Sequence, residues 1–121
     1  MAGQMVHLEI PAGDTAKARE FWGSLFGWEF EQYGAGEYYM TRFSETTGGA
    51  ISGAEGDKRG MLVYLDVDDI NTALGRVGEL GGKSGEALPV PGMGWFATCT
   101  DNEGNEFGLW QTDPNAPTPD A

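Results

Sequence analysis

The order of structural roles along this chain repeats after a shift of 55 residues, and an internal duplication of that kind leaves few folds open. The shift sets Ile10 on Leu65, Asp14 on Asp69, Ala18 on Ala73, Leu25 on Leu80 and Gly27 on Gly82. Those positions read as a strand, a helix cap, two helix positions facing a core, and a helix stop. Identity between the halves is low, but the roles follow in the same order.

Each half supports the reading locally. Met5 to Ile10 alternates apolar and polar side chains, the period of a strand with one buried face. Pro11-Ala12-Gly13 interrupts it, and Asp14 or Thr15 then offers an oxygen to the orphan amides of a helix start. Ala18, Phe21, Trp22, Leu25 and Phe26 recur at helical spacing, so Phe21, Trp22 and Leu25 are assigned to packing against a sheet. Gly27 stops the helix. Strands follow at 28–33, 37–43 and 48–53, with Gly34-Ala35-Gly36 as a hairpin turn. A polar connector covers 54–60. The second half repeats the cycle: a strand at 61–67, a helix capped by Asp68 or Asp69 and ended by Gly81-Gly82, then strands at 83–88, 94–100 and 105–111. Residues 83–88 have poor strand propensity and suit only an edge. The expectation is one domain over 1–121, with repeat one at 5–53, repeat two at 61–111 and a loose tail at 112–121. The fold class is α+β: two tandem βαβββ modules, eight strands in all, forming a curved mixed-sheet cup.

Composition narrows the functional classes. Apolar residues make up 40% of the 121, which excludes a disordered chain. No run reaches the ~18 apolar residues of a membrane span, so no membrane partner is expected. Residues 1–4 lack the basic and apolar regions of a signal peptide, which makes the cytoplasm the expected location. A lone cysteine, Cys99, suits a reducing compartment. With 19 acidic against 7 basic residues the net charge is −12, a surface that repels phosphate backbones and makes nucleic acid an improbable partner. Such a surface suits a cationic ligand, but solubility alone is the leading account of the charge.

Several stretches carry a resemblance. His-Leu-Glu-Ile-Pro at His7, Ala18-Arg19-Glu20-Phe21-Trp22 leading to Leu25-Phe26-Gly27-Trp28, Val67-Asp68-Asp69, and the closing run from Asp101 to Gln111 together resemble the vicinal oxygen chelate superfamily. That superfamily includes glyoxalase I, the bleomycin resistance proteins and the extradiol dioxygenases, and the closest likeness is to its small glyoxalase-like branch. The resemblance implies a cup that holds a small molecule, and a homodimer. It also implies a divalent metal held by one residue from the first and one from the last strand of each module. His7 matches the first of those positions. Its counterpart falls on Leu62, the carboxylate of the second module near Gly108, and that of the first within 50–53, where Ser52 alone offers a side-chain oxygen. With one position of four retained, no cofactor is the primary expectation, and a divalent metal on an unconventional site the alternative.

Candidate site residues follow from strand alternation. His7 and Glu9, two apart, share a face, and the carboxylate is expected to raise the proton affinity of the imidazole. Tyr64 is a candidate proton donor. Leu62 and Asp66 alternate with it toward the same side. Gly108 and Trp110 suggest a flat wall for a planar ligand, with Tyr39 and Trp95 adding to it. Three readings stand: a metal-independent binder of a small organic molecule, a glyoxalase-like lyase or isomerase using His7 and Glu9, and a protein-interaction module.

Overall fold

The computed structural model describes residues 2–53 and 60–118; most of the expected polar connector and the last residues of the tail lie outside them. The chain divides into two compact units, one of residues 6–63 and one of residues 64–121 with 1–5.

The first unit follows β1 (Met5–Ala12), α1 (Thr15–Phe26), β2 (Glu31–Gln32), β3 (Tyr38–Arg42) and β4 (Gly48–Gly53). β4 runs parallel to β1 and antiparallel to β3, which pairs with β2 on its far side. Asp14 caps α1, accepting from the Lys17 amide at 3.0 Å, and Gly27 ends it in the left-handed region at φ 74. β2 is shorter than expected, with pairing confined to Glu31 and Gln32.

The helix does not bury the face its spacing suggested. Thr15 is buried and Ala18, Arg19, Trp22 and Gly23 half-buried, whereas Phe21, Leu25 and Phe26 are 56–60% exposed. A step of about 100° per residue places Phe21 and Leu25 to one side of the Thr15–Trp22 stripe. That stripe lies toward β4. Trp22 keeps its packing role by stacking on Trp28, whose ring meets Phe43.

The second unit follows β5 (Leu62–Asp66), α2 (Ile70–Glu79), β6 (Lys83–Ser84), β7 (Leu88–Val90), β8 (Gly94–Thr100) and β9 (Glu106–Thr112). β5 lies parallel to β9, β9 antiparallel to β8, and β6 and β7 pair with separate stretches of β8. The described residues therefore hold nine strands rather than eight: the weak candidate at 83–88 splits into a two-residue piece and β7. Pro89 cannot donate to a ladder, which confines β7 to an edge. Asp69 caps α2 as Asp14 caps α1, accepting from the Thr72 amide. The stop differs: Gly81 takes positive φ, while a β-carbon at Gly82 would meet the Val77 side chain at 3.0 Å. Ile70, Ala97, Cys99 and Leu109 form the buried core, flanked by Val67, Ala73, Leu74, Val77, Trp95 and Phe107. Beyond β9, Ala116 is 6% exposed and exchanges backbone bonds with Gly92 and Asp113.

Among the described residues no helix is long and apolar enough to cross a membrane. The α+β class is as the repeat implies, and the first unit keeps the βαβββ order, whereas the second has four strands after its helix.

Candidate functional site

Strand pairing decides which side chains meet, because directly paired residues project to one side of a sheet. In the first unit β4 is the reference. Ala50 pairs with Glu9 and Met40, Gly48 with His7 and Arg42, and Ser52 with Pro11 and Tyr38. His7, Glu9, Tyr38 and Ser52 therefore share a face. Leu8, Ile10, Tyr39 and Ile51 occupy the other, where the Arg19 guanidinium of α1 lies 3.9 Å from the centre of the Tyr39 ring. Tyr39, expected in a ligand wall, faces the helix instead. Its neighbour Tyr38 projects to the His7 side.

Tyr38 bridges the two candidates on β1. Its hydroxyl donates to Glu9 Oε2 at 3.2 Å and stands 2.9 Å from Nε2 of His7. With the phenol proton directed at the carboxylate, the imidazole Nε2–H is the donor to the phenol oxygen. The His7 and Tyr38 rings are nearly coplanar in orientation, 6° apart at a centroid separation of 6.5 Å. Burial holds the His7 imidazole below its ordinary proton affinity, the reverse of the expected effect of Glu9. The Glu9 carboxyl is pushed above its ordinary range by burial, opposed in part by the Tyr38 hydrogen bond. Both shifts favour neutral forms. When ionised, a carboxylate of raised proton affinity is a stronger base than a solvent-exposed one.

In the second unit the register gathers a different set. Tyr64 pairs with Gly108 and Asp66 with Trp110 across β5 and β9; Phe96 pairs with Trp110 across β8 and β9. Tyr64, Asp66, Gly108, Trp110 and Phe96 share one face. Trp95 does not. It pairs with Gln111, lies with Ala97 and Cys99 against α2, and donates its indole N–H to Asp113 Oδ2 at 3.0 Å. Nor is Gly108 an empty wall. The Tyr64 ring occupies the position a β-carbon on Gly108 would take, and Tyr64 is 7% exposed with its ring edge-on to Phe96. The glycine serves the tyrosine. Trp110 remains half-buried, its indole N–H donating to Thr112 Oγ1 at 3.0 Å. Leu62, outside the stretch of β5 paired with β9, is half-buried.

The metal positions implied by resemblance do not fit a metal. Leu62 offers carbon alone, Gly108 lies under an aromatic ring, and Ser52 offers a neutral hydroxyl, a poor partner for a divalent ion. Among the described residues no group of three or more His, Cys, Asp or Glu side chains is placed to hold one ion. The His7 nitrogen at this site is engaged by Tyr38.

Comparison with known proteins agrees with the strand order. A member of the glyoxalase/bleomycin resistance protein/dioxygenase superfamily from Vibrio splendidus superposes with a TM-score of 0.68 at 16% identity, over 92% of this chain and 99% of that one. Methylmalonyl-CoA epimerase from Mycobacterium tuberculosis superposes with a TM-score of 0.67 at 16% identity, over 93% and 89%. The α+β fold is that of this superfamily. Within it, the chain belongs to the glyoxalase-like domain family, whose model matches residues 5–110. A glyoxylase-like domain-containing protein of Didymella fabae is 30% identical over 118 residues, covering 88% of this chain and 92% of that protein. Two mycobacterial relatives are longer, and the chain spans 44% of their length.

Proposed function

We propose that this glyoxalase-like protein binds a small organic molecule against the His7 face of its first unit and moves a proton on it. The observation that supports this is the hydrogen-bonded series His7–Tyr38–Glu9 on half-buried strands. Titratable groups with proton affinities shifted by burial cluster at functional sites. Glu9 acts as the base toward an acidic C–H or O–H. Once Glu9 holds the proton it donates to the Tyr38 oxygen, which still accepts from the Nε2–H of His7 and turns its own hydroxyl hydrogen toward the bound molecule. Proton return at a different atom completes an isomerisation, and no oxidant or co-reactant is consumed. The family name and the epimerase among the fold neighbours point to carbonyl compounds with an acidic α-proton as the substrate class.

The test is exchange rather than turnover, because the product need not be known. Incubating 2-oxoaldehyde hemithioacetals and 2-methyl acyl thioesters with the protein in D2O, followed by proton NMR, reads loss of the α-proton. Exchange that disappears in both Tyr38→Phe and His7→Ala supports the reading. Absence of exchange across both classes ends it for these substrates.

The second reading is sequestration without chemistry. Half-buried Trp110 beside Asp66 and Phe96 offers an aromatic surface next to a carboxylate, suited to a planar cation. Thermal shift against planar cationic compounds tests it, with hits expected to be lost in Trp110→Ala and kept in Trp95→Phe. A homodimer is part of the proposal, and the exposed Phe21, Leu25 and Phe26 favour it. Sedimentation velocity decides between one chain and two.

A further inference from the structure

Glu37 is an exposed carboxylate held from several directions. The Thr15 hydroxyl donates to its Oε1 at 2.5 Å and the Tyr39 hydroxyl to its Oε2 at 3.0 Å. Its own carbonyl accepts from the Gly53 amide at 2.8 Å. A β-carbon at Gly53 would lie 2.9 Å from that of Glu37, so β4 ends in a residue that leaves the glutamate room. Thr15, the first residue of α1, is 4% exposed. One turn on, Arg19 covers the Tyr39 ring. The start of α1, the start of β3 and the end of β4 thus close on a single side chain. Hydrogen bonds to an ionised acceptor are shorter and stronger than neutral ones.

Tyr38 lies between the two anchored residues and projects to the opposite face. On the outer side of β3, β2 pairs only through Glu31 and Gln32, and Tyr33 beyond it donates its amide to the Tyr38 carbonyl at 2.9 Å and sets its ring edge-on to the Tyr38 ring. Any rotation of β3 about its axis that displaces Glu37 and Tyr39 on one face swings the Tyr38 hydroxyl on the other. We infer that Thr15 and Glu37 are positioning residues: their bond holds β3 in the rotation that keeps the Tyr38 hydroxyl between His7 and Glu9. This rests on the reading of His7–Tyr38–Glu9 as the functional site. It extends that site to a helix end on the far side of the sheet.

His7 is the sole histidine, so its imidazole ¹⁵N and ¹³C signals report the contact without assignment ambiguity. The whole chain is compared with Tyr38→Phe, Thr15→Val, Glu37→Gln and Thr15→Ser. Tyr38→Phe is expected to shift the Nε2 resonance; Thr15→Val and Glu37→Gln are expected to shift it in the same direction, and Thr15→Ser to keep the wild-type value. Circular dichroism establishes that each variant is folded, and Glu37→Gln carries the test if Thr15→Val is not. Wild-type His7 signals in folded Thr15→Val or Glu37→Gln, alongside a shift in Tyr38→Phe, overturn the inference. So does a Tyr38→Phe spectrum unchanged at His7. The α-proton exchange assay separates the two claims: shifted His7 signals with unchanged exchange sink the catalytic reading and still support the positioning role.

Discussion

The hydroxyl of Tyr38 stands 2.9 Å from Nε2 of His7, joining β3 to β1 across the intervening β4. Tyr38→Phe removes that link and leaves both rings in place. We expect a loss of about 1 kcal/mol of stability, the net worth of an ordinary hydrogen bond. Any α-proton exchange should fall about 10²–10⁴-fold, the usual contribution of positioned acid–base groups. Urea denaturation and the exchange assay read the two quantities separately.

Burial moves His7 and Glu9 in opposite directions, and their pH signatures differ in sign. Below 6.5 and above the lowered folded value of His7, the unfolded chain holds the proton and the folded chain does not. Stability from this residue therefore rises with pH through that window. For Glu9 the window lies above 4.5, where the folded chain is protonated and the unfolded chain is not, so its contribution falls as pH rises. His7→Asn should flatten the rise and Glu9→Gln the fall. Melting temperatures taken from about pH 4 to about pH 7, which brackets both ordinary values, check both slopes.

Gly108 exists to admit the Tyr64 ring. Gly108→Ala is expected to destabilise by about 1–3 kcal/mol, as overpacking of a filled site does. Combining it with Tyr64→Val should recover part of the loss relative to the sum of the single variants. Chemical denaturation of the four proteins measures the coupling. Strict additivity would show that the ring is not what the β-carbon meets.

Asp14 and Asp69 perform the same task in the two repeats. Each accepts from the amide three residues on. Asp14→Ala and Asp69→Ala should each cost about 1 kcal/mol, with Asn in either place restoring most of it. Thermal melts of the single and double variants test this, and the double should approach the sum.

The sequence narrows each cap to two adjacent residues, Asp14 or Thr15 and Asp68 or Asp69, and it makes β1, β4 and the placing of His7 with Glu9 on one face legible. All of them follow from rules that act over a few residues: a carboxylate reaching a nearby amide, a period of two, a glycine where φ turns positive. The duplication was legible for the same reason, since it repeats local signals in order.

What local rules could not decide was which neighbours meet. Tyr38 and Tyr39 are adjacent aromatics in one strand, and only the register of β3 against β4 sends Tyr38 toward His7 and Tyr39 under Arg19. A slip of one residue would exchange them. Trp95 and Phe96 pose the same choice on β8, and pairing with β9 turns the tryptophan to the helix. Helix α1 shows the limit again: its spacing offers more apolar positions than one face of a sheet can cover, and docking leaves Phe21 and Leu25 outside. The sequence by itself determined both helices, most of the strands and the repeated order. Register and docking, which depend on contacts far apart along the chain, decided that Tyr38 meets His7 and Glu9.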